Sequence, residues 1–415
     1  MKVKIIFITL LIILNFSCKI EKEEETLFIK ISLWEKGTKL RGINIWQKKI
    51  DYEVDEDFIG PGIVGPPFTQ EDFNKLREMG VNYVNISHPG IFKVNPPYDL
   101  DNDILENLKS LIIMIKNADM FCVISFRTGP GRSEYTFYRG EDYQSDPENG
   151  WFDEKYYNDD VWKSEALQEK WAEMWKKTAE VFKDYDNVVG YDLMVEPNSN
   201  DVFFETEDPD SFYPKYSGTL YDWNQFYPKL VSAIREVDEN TPILISSLDW
   251  GEIDWMKYMQ TIDCSNLVYT VHQYDPHEYT HDIKSYSYPD RFDIDYDGVI
   301  DDFNYTWLEN KINKVKDFIQ SNGVNSAINE YGVIRWVKNA KDFLDDEMGL
   351  FESMGVNYAI WAYSTQWEPY RTEIDDFNYL FGTNKSNKTE DYNNVLINIL
   401  KKYWSKNTIF PSTIK

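Results

Sequence analysis

The sequence predicts a single (β/α)₈ barrel, an α/β fold, and two observations support that prediction. Eight short apolar runs alternate with amphipathic helical patterns along the 415 residues. The runs are apolar on both faces, which is typical of parallel strands with helices outside them and packed side chains inside a barrel. Eight such alternations, joined by long loops, fit a closed barrel.

The predicted strands and helices follow one another in regular order. The eight strand-like runs are residues 40–46, 81–87, 121–126, 188–194, 243–248, 267–274, 326–332 and 358–364. Helical patterns cover residues 70–79, 105–118, 163–185, 223–237, 305–321, 340–354 and 392–403, with a weaker helix at 253–259. Together they predict one domain over residues 39–408.

A doubly wound open sheet is the alternative architecture. That fold would need a glycine-rich phosphate-binding turn after its first strand, but Gln47, Lys48 and Lys49 follow the first run. Two long loops, 127–161 and 198–221, follow the third and fourth strands. They would lie at the carboxyl face, where barrel enzymes build their sites.

The composition excludes some partners and favours others. Lys and Arg number 43 against 71 Asp and Glu, so the net charge is −28, which disfavours nucleic acid as a partner. Fourteen Trp and 29 Tyr are more than a core requires, and sugar rings stack well on aromatic faces. A monomer that binds carbohydrate is the simplest expectation.

The N-terminus predicts export. Lys2 and Lys4 precede an apolar run over residues 5–14, too short to span a bilayer. A basic head, an apolar stretch and a small residue before a break predict a signal peptide over residues 1–17. Cys18 then resembles the lipidated cysteine of bacterial lipoproteins, with residues 18–38 as a charged tether and N-terminal segment. The expected location is the periplasm or the cell surface, anchored to a membrane.

The other two cysteines, Cys122 and Cys264, leave two alternatives open. An exported protein permits a disulfide between them, and two free thiols are equally compatible with the sequence. No group of Cys and His has the spacing of a zinc site.

Functional side chains are expected where the strands end, and four strand ends carry them. These are Val195-Glu196-Pro197 on the fourth, His272-Gln273-Tyr274 on the sixth, Asn329-Glu330-Tyr331-Gly332 on the seventh and Trp361 on the eighth. With Arg41-Gly42-Ile43-Asn44 on the first, this ordered set resembles glycoside hydrolase family 5. That is the cellulase and mannanase family among the retaining glycosidases.

The resemblance implies a role for each matching residue. Glu196 would be the acid/base, Glu330 the nucleophile, and Tyr274 and His272 would hold and orient the pair. Further candidate contacts to substrate are Trp361, Asn85, His88, Arg127, Asn198, Trp46 and Trp367. The implied reaction is double displacement on a β-glucan or β-mannan, with no organic cofactor.

Two positions depart from the family pattern. Val195 stands where the family usually has an asparagine that bonds the sugar, and Asn85 where it has an arginine. Asn198 and Arg127 are candidate replacements. The departures motivate an alternative, a catalytically impaired surface lipoprotein that binds glycans. A transglycosylase or an exo-acting enzyme is a third possibility.

A separate motif predicts a structural calcium site at 293–304. Asp293, Asp295 and Asp297 stand at positions 1, 3 and 5, and Gly298 and Val299 follow, as in a calcium loop of the EF-hand type. Position 12 is Asn304 rather than Glu, so the bidentate ligand would come from Asp301, Asp302 or another segment, and Val299 at position 7 is a further candidate ligand. The loop is expected to stiffen the rim of the cleft.

His277 and His281 have the spacing of metal ligands on one helix face. Pro276 and the preceding strand argue against a helix there, so this segment is expected to be a wall of the cleft without metal.

Overall fold

Eight parallel strands close into a barrel in the computed structural model, which describes residues 30–49, 63–138, 157–206, 208–364 and 373–414. The strands are β1 (Arg41–Trp46), β2 (Tyr83–His88), β3 (Phe121–Phe126), β4 (Val188–Asp192), β5 (Ile243–Ser246), β6 (Leu267–Gln273), β7 (Asn325–Tyr331) and β8 (Asn357–Tyr363). Each pairs with its neighbour in the chain, and β8 pairs with β1. The predicted (β/α)₈ barrel is confirmed.

Within the described ranges, seven helices surround the barrel. They are α1 (Gln70–Glu78), α2 (Asn102–Asn117), α3 (Glu165–Phe182), α4 (Trp223–Arg235), α5 (Tyr305–Asn322), α6 (Ala340–Met354) and α7 (Val395–Trp404). After β5 a short 3₁₀ helix, Ile253–Tyr258, takes the place of a full helix. Shorter helical segments lie in the loops at Ser199–Phe204, Pro209–Tyr216, Leu248–Gly251, His277–Thr280 and Glu373–Asp376.

The helices form where the apolar spacing and the end residues favour them. In α2 the buried residues recur at helical spacing, as with Leu105, Leu108 and Ile112. Asp101 caps its first turn by accepting a hydrogen bond from the Ile104 amide. The apolar face packs on the strands, so the main core lies between the barrel and its helices.

The interior of the barrel is apolar at its amino end and polar at its carboxyl end. Tyr83, Phe121 and Leu244 belong to a separate apolar cluster inside the amino end of the barrel, called the lower cluster below. Leu33 and Trp34 join that cluster, and the Trp34 indole donates to the Val189 carbonyl at 2.8 Å. Residues 30–34 therefore close the amino end of the barrel, and the packed domain begins earlier than the predicted residue 39.

The carboxyl end of the chain also extends the domain. The Asn82 amide donates to the Ile409 carbonyl at 3.0 Å, and Ile409 and Ile414 pack on the lower cluster. The packed region thus reaches beyond residue 408. Across the described ranges, no helix has both the length and the apolar character needed to cross a bilayer.

Both described cysteines are free thiols. Cys122 is buried on β3 and Cys264 is half-buried. Of the two alternatives that the sequence left open, the structure has the free thiols.

Candidate active site

Glu196 and Glu330 meet at the carboxyl mouth of the barrel, together with His272. One carboxylate oxygen of each glutamate and a ring nitrogen of His272 all lie within 4.8 Å of one another. His272 Nδ1 lies 2.9 Å from Glu196 Oε1 and 3.7 Å from Glu330 Oε1. The Tyr274 hydroxyl donates to Glu330 Oε1 at 2.8 Å. The structure therefore brings together the four residues that the sequence assigned to catalysis.

A bulge in β7 aims Glu330 into this mouth. Ile328 pairs with Val271 and Glu330 with His272, so Asn329 is an extra residue in the strand. The bulge allows neighbouring side chains of β7 to face the barrel interior. Asn329 reaches across to Asp192 at 2.7 Å, and Glu330 reaches Tyr274.

Burial and mutual charge set the protonation of this group. Burial raises the pKa of Glu330 above its usual range, and the Glu196 carboxylate adds to the rise. Burial alone would lower the pKa of His272, but the carboxylates of Glu330 and Glu196 outweigh it and raise that pKa to about 9. A positive imidazole between two carboxyl groups allows both to be buried together. Two carboxyl groups with a basic ring between them can donate and accept protons at the mouth of the barrel.

A polar layer lies beneath the two glutamates. The Ser125 hydroxyl lies 2.6 Å from Asn85 Oδ1 and 3.1 Å from Asp192 Oδ2. The Asn85 amide donates to Asn44 Oδ1 at 2.7 Å. Burial raises the pKa of Asp192 to about 7. Asn85, a predicted substrate contact, thus belongs to a buried network that supports β7.

Arg127 stands at the end of β3 and faces the site. Its Nε donates to Glu134 Oε1 at 2.9 Å, and its guanidinium stacks on Phe137 at 3.8 Å and lies 5.8 Å from the Trp361 ring. Its positive charge acts to lower the pKa of Glu330. Arg127 is therefore placed to supply a positive charge near Glu330.

The other predicted substrate contacts that the structure describes are buried, and His88, Asn198 and Trp46 form hydrogen bonds within the protein. His88 bonds Asn107 at 2.8 Å and the Pro89 carbonyl at 2.7 Å, and burial lowers its pKa to about 4. The Asn198 amide donates to the Thr136 hydroxyl at 3.0 Å, and the Trp46 indole to Glu134 at 3.2 Å. Trp361 is nearly fully buried on β8. Trp367 lies outside the described residues.

A wide groove runs from the two glutamates across the mouth and along the gap between α5 and the 3₁₀ helix. Phe137, Trp250 and Phe377 contribute rings to its lining, next to Arg127 and Tyr274. Phe137 and Trp250 face each other with ring centroids 5.7 Å apart. These aromatic residues were not predicted, because functional side chains were expected at strand ends and these three lie in loops.

Three of the predicted calcium ligands converge. One carboxylate oxygen from each of Asp293, Asp295 and Asp297 lies within 4.8 Å of the others. The Gly298 amide donates to Asp293 Oδ2 at 3.0 Å, and Val299 follows in the same turn. Asp302 instead forms an ion pair with Arg291, whose Nε lies 2.7 Å from Asp302 Oδ1. The two residues face each other across a short antiparallel pair of strands, Asp290–Phe292 and Asp301–Phe303. Asp301 accepts from the Ile294 amide at 3.2 Å.

The expectation that Pro276 prevents a helix is wrong. A short helix, His277–Thr280, begins directly after Pro276. Proline is tolerated at a helix start, since its missing N–H would have no partner inside the helix. The rings of His277 and His281 stack with centroids 3.8 Å apart. Both line the groove, as predicted for a wall of the cleft.

Comparison with known proteins agrees with this geometry. The cellulase model (glycosyl hydrolase family 5) matches residues 35–366. Endoglucanase C of Acetivibrio thermocellus is 20% identical over 71% of this chain and 83% of its own. An endoglycoceramidase of Cyanea nozakii is 35% identical over 23% of this chain, which spans only 18% of that relative's length.

Solved structures match the fold at low identity. Cel5A of Thermotoga maritima in complex with cellobiose has a TM-score of 0.60, and its complex with mannotriose 0.59. Each is 18% identical and covers 90% of this chain and 99% of its own. The chain therefore belongs to glycosyl hydrolase family 5, the cellulase family, and its barrel is that of a glycosidase, an enzyme that hydrolyses O-glycosyl bonds.

Proposed function

We propose that the protein is a retaining glycoside hydrolase that cleaves β-linked polysaccharides or oligosaccharides of the glucan or mannan type. The observation that carries the proposal is the separation of Glu196 and Glu330, whose carboxylate oxygens lie within 4.8 Å. Retaining glycosidases hold the two carboxyl groups about 5–5.5 Å apart, whereas inverting ones leave roughly 6.5–9.5 Å for a water.

Each group has a chemical task in this mechanism. Glu330 attacks the anomeric carbon while Glu196 protonates the departing oxygen, which leaves a glycosyl ester on Glu330. Glu196 then removes a proton from water, the water attacks the anomeric carbon, and Glu330 departs as a carboxylate. The Tyr274 hydroxyl, at 2.8 Å, holds Glu330 for attack.

The groove favours an uncharged sugar chain. Its described lining contains thirteen Asp and Glu residues against four Lys and Arg, so a polyuronate or a sulfated glycan would be repelled. Half-buried aromatic rings that line the groove, as at Trp250, suit sugar rings. The Cel5A complexes with cellobiose and mannotriose and the name endoglucanase support a glucan or mannan.

A product assay tests the proposal. The protein is incubated with soluble glucan and mannan beside Glu330→Gln, Glu196→Gln and a control, Glu173→Gln, on the exposed face of α3. Wild type and control should release sugar, and the two catalytic variants should lose at least about 10³-fold in rate. NMR should show the β-anomer of the new reducing end first. Undiminished turnover by Glu330→Gln, or the α-anomer first, would refute the mechanism.

The alternative of a glycan-binding protein without activity has no support in the comparisons. Val195 and Asn85 motivated it, yet Glu196, Glu330 and their two helpers are assembled. In the same assay, glycan binding without any released sugar would favour that alternative. Transfer to added alcohol would identify a transglycosylase.

We also propose that the protein is exported and anchored through a lipid on Cys18, with residues 1–17 removed. The motif that predicts this lies outside the described residues, so its support is the sequence alone. Mass spectrometry of the membrane fraction should find Cys18 as an acylated N-terminus. Cys18→Ser should release the protein, and an unprocessed N-terminus would disprove the anchor.

The loop after β6 is proposed to bind calcium. Its support is the convergence of Asp293, Asp295 and Asp297, together with the Gly298 amide that turns the chain toward Asp293. Hard cations prefer such carboxylate oxygens, and extracellular calcium is abundant enough for a weak site. The role would be structural, at the rim of the groove.

A further inference from the structure

The backbone at Glu196 has an unusual conformation. Its φ of 54° lies in the left-handed region, which side chains other than glycine adopt only when surrounding contacts hold them there. This turn follows β4 and directs the Glu196 carboxylate toward His272. The turn lifts the carbonyls of Val195, Glu196 and Pro197 out of the strand ladder, so each needs another donor.

A single buried guanidinium supplies two of those donors. Arg132 is fully buried; its Nη1 donates to the Val195 carbonyl at 2.8 Å and its Nη2 to the Glu196 carbonyl at 2.7 Å. The same Nη1 donates to the Arg127 carbonyl at 2.8 Å. Arg132 therefore ties the acid/base turn to the end of β3, while the Trp250 amide holds the Pro197 carbonyl at 3.1 Å.

The loop that carries Arg132 is tightly fixed. A Cβ on Gly129 would stand 2.7 Å from the Trp171 ring, so only glycine fits against α3. Gly131 has a φ of 71°, another left-handed position. Phe137 lies 4.9 Å from the Arg132 guanidinium. The run Thr-Gly-Pro-Gly-Arg is thus shaped to deliver one guanidinium to the acid/base turn.

We propose that Arg132 is a positioning residue for proton transfer, which fixes Glu196 for both its acid and its base step. The inference rests on the proposed role of Glu196. The planar fork of arginine can bond several carbonyls at once, whereas the ammonium of lysine cannot reproduce that geometry. Removing the fork should let Glu196 relax from its left-handed turn, while Glu330, on β7, keeps its place.

Leaving-group dependence separates this role from a structural one. Aryl β-glycosides of the sugar that wild type cleaves are compared, one with a phenyl and one with a 2,4-dinitrophenyl leaving group, which departs without general acid help. For Arg132→Lys, kcat/KM should fall about 100-fold on the phenyl glycoside and by less than about 5-fold on the dinitrophenyl glycoside. Equal losses on both substrates would overturn the proposal.

A matched control is Arg335→Lys. Arg335 is also fully buried and donates to backbone carbonyls, among them those of Asp375 at 2.9 Å and Gly382 at 2.8 Å. It should lower thermal stability without changing the ratio of the two kcat/KM values. Arg132→Ala is the second variant, and added guanidinium ions, but not ammonium ions, should restore its activity on the phenyl glycoside.

The two proposals fail in different ways. Absence of wild-type turnover on every glycoside would refute the proposed function. A crystal structure of Arg132→Lys decides the inference independently of activity. Glu196 should there leave the left-handed region, and an unchanged φ with its contact to His272 intact would overturn the positioning role.

Discussion

At the residue scale, the hydrogen bond from Tyr274 to Glu330 links geometry to pH dependence. Burial raises the pKa of Glu330, and the Tyr274 hydroxyl opposes that rise because it donates to the ionised carboxylate. The proposed mechanism requires Glu330 to be ionised when it attacks, so it predicts that activity falls as pH drops through this raised pKa. The acid limb should therefore lie above the ordinary range of a glutamate.

Tyr274→Phe tests this link. Loss of the hydroxyl removes a bond to a charged acceptor, worth about 1.5–3 kcal/mol, and raises the pKa of Glu330 further. We expect kcat/KM at neutral pH to fall by roughly 10- to 100-fold, and the acid limb of its pH profile to move to higher pH. Tyr403→Phe is the control, since that hydroxyl bonds Asp345, and its profile should match wild type. A Tyr274→Phe limb at lower pH would contradict the assignment.

The sequence predicted the acidic and basic side chains at the strand ends, but it did not predict the residues that hold those side chains in place. Glu196, His272 and Glu330 were found because parallel strands bring their carboxyl ends together. Arg132 was missed because it lies in a loop, and nothing in hydrophobic periodicity reports a guanidinium bonded to backbone carbonyls. Its neighbours Gly129 and Gly131 were the available signal, since two glycines around a proline indicate a close backbone approach.

At the scale of elements, Lys311 of α5 bridges the loops after β5 and β6. It is 8% exposed and binds Glu252 at 2.7 Å, Asp254 at 3.3 Å and Asp275. Burial would lower the pKa of Lys311, but the three carboxylates outweigh it and raise it. This ion cluster therefore joins α5 to the start of the 3₁₀ helix Ile253–Tyr258.

Lys311→Met should destabilise the protein. The variant leaves three half-buried carboxylates without their cation, at a cost of about 1–3 kcal/mol, measured by urea unfolding at pH 8. The loss should shrink as pH falls, because protonation of the unpaired carboxyl groups removes their charge. Lys314→Met is the matched control. Lys314 is 53% exposed and also pairs with Asp254, so about 1 kcal/mol or less is expected. Equal losses would disprove the bridging role.

The loop after β6 gives a second prediction for an element. Calcium at millimolar concentration should raise the melting temperature, and a chelator should reverse the change, because a ligand that binds only the folded state stabilises it. Asp295→Asn should abolish the effect. Asp302→Asn should preserve it, since Asp302 pairs with Arg291 at 2.7 Å. A melting temperature that changes with neither calcium nor chelator would exclude the site.

Element boundaries followed from the apolar pattern, with two exceptions. The eight strands were found because buried parallel strands are continuous apolar runs. The helix after β5 was predicted only weakly, and the structure has a short 3₁₀ helix there. Lys311 binds the start of that helix through ion pairs, which hydrophobic periodicity does not report. The helix after Pro276 was missed because proline was treated as a breaker, although a proline just before a helix is compatible with it.

At the scale of the whole molecule, the negative charge predicts substrate discrimination. The net charge is −28, and the groove shares this sign. We expect kcat/KM on a carboxymethylated glucan to rise several-fold between about 20 and 300 mM salt, as the Debye length falls from roughly 20 to 6 Å. An uncharged glucan should show no such rise.

A charge reversal locates the effect. Asp317→Lys, in the groove, should raise activity on the carboxymethylated glucan at low salt. Glu180→Lys, on the outer face of α3, makes the same change in net charge and should alter it less. Equal effects of the two variants would assign the discrimination to the global charge alone.

Residues 30–34 close one end of the barrel, and this determines which end of the molecule would lie nearer to an N-terminal anchor. These residues cover the amino end, whereas Glu196 and Glu330 open at the opposite end. Eleven residues separate Cys18 from Lys30, and a segment of that length spans at most about 40 Å when fully extended. A molecule held by a lipid on Cys18 would therefore be attached at the end of the barrel opposite the mouth that holds Glu196 and Glu330. It would act on glycans arriving from the surrounding medium rather than on the headgroups of its own membrane.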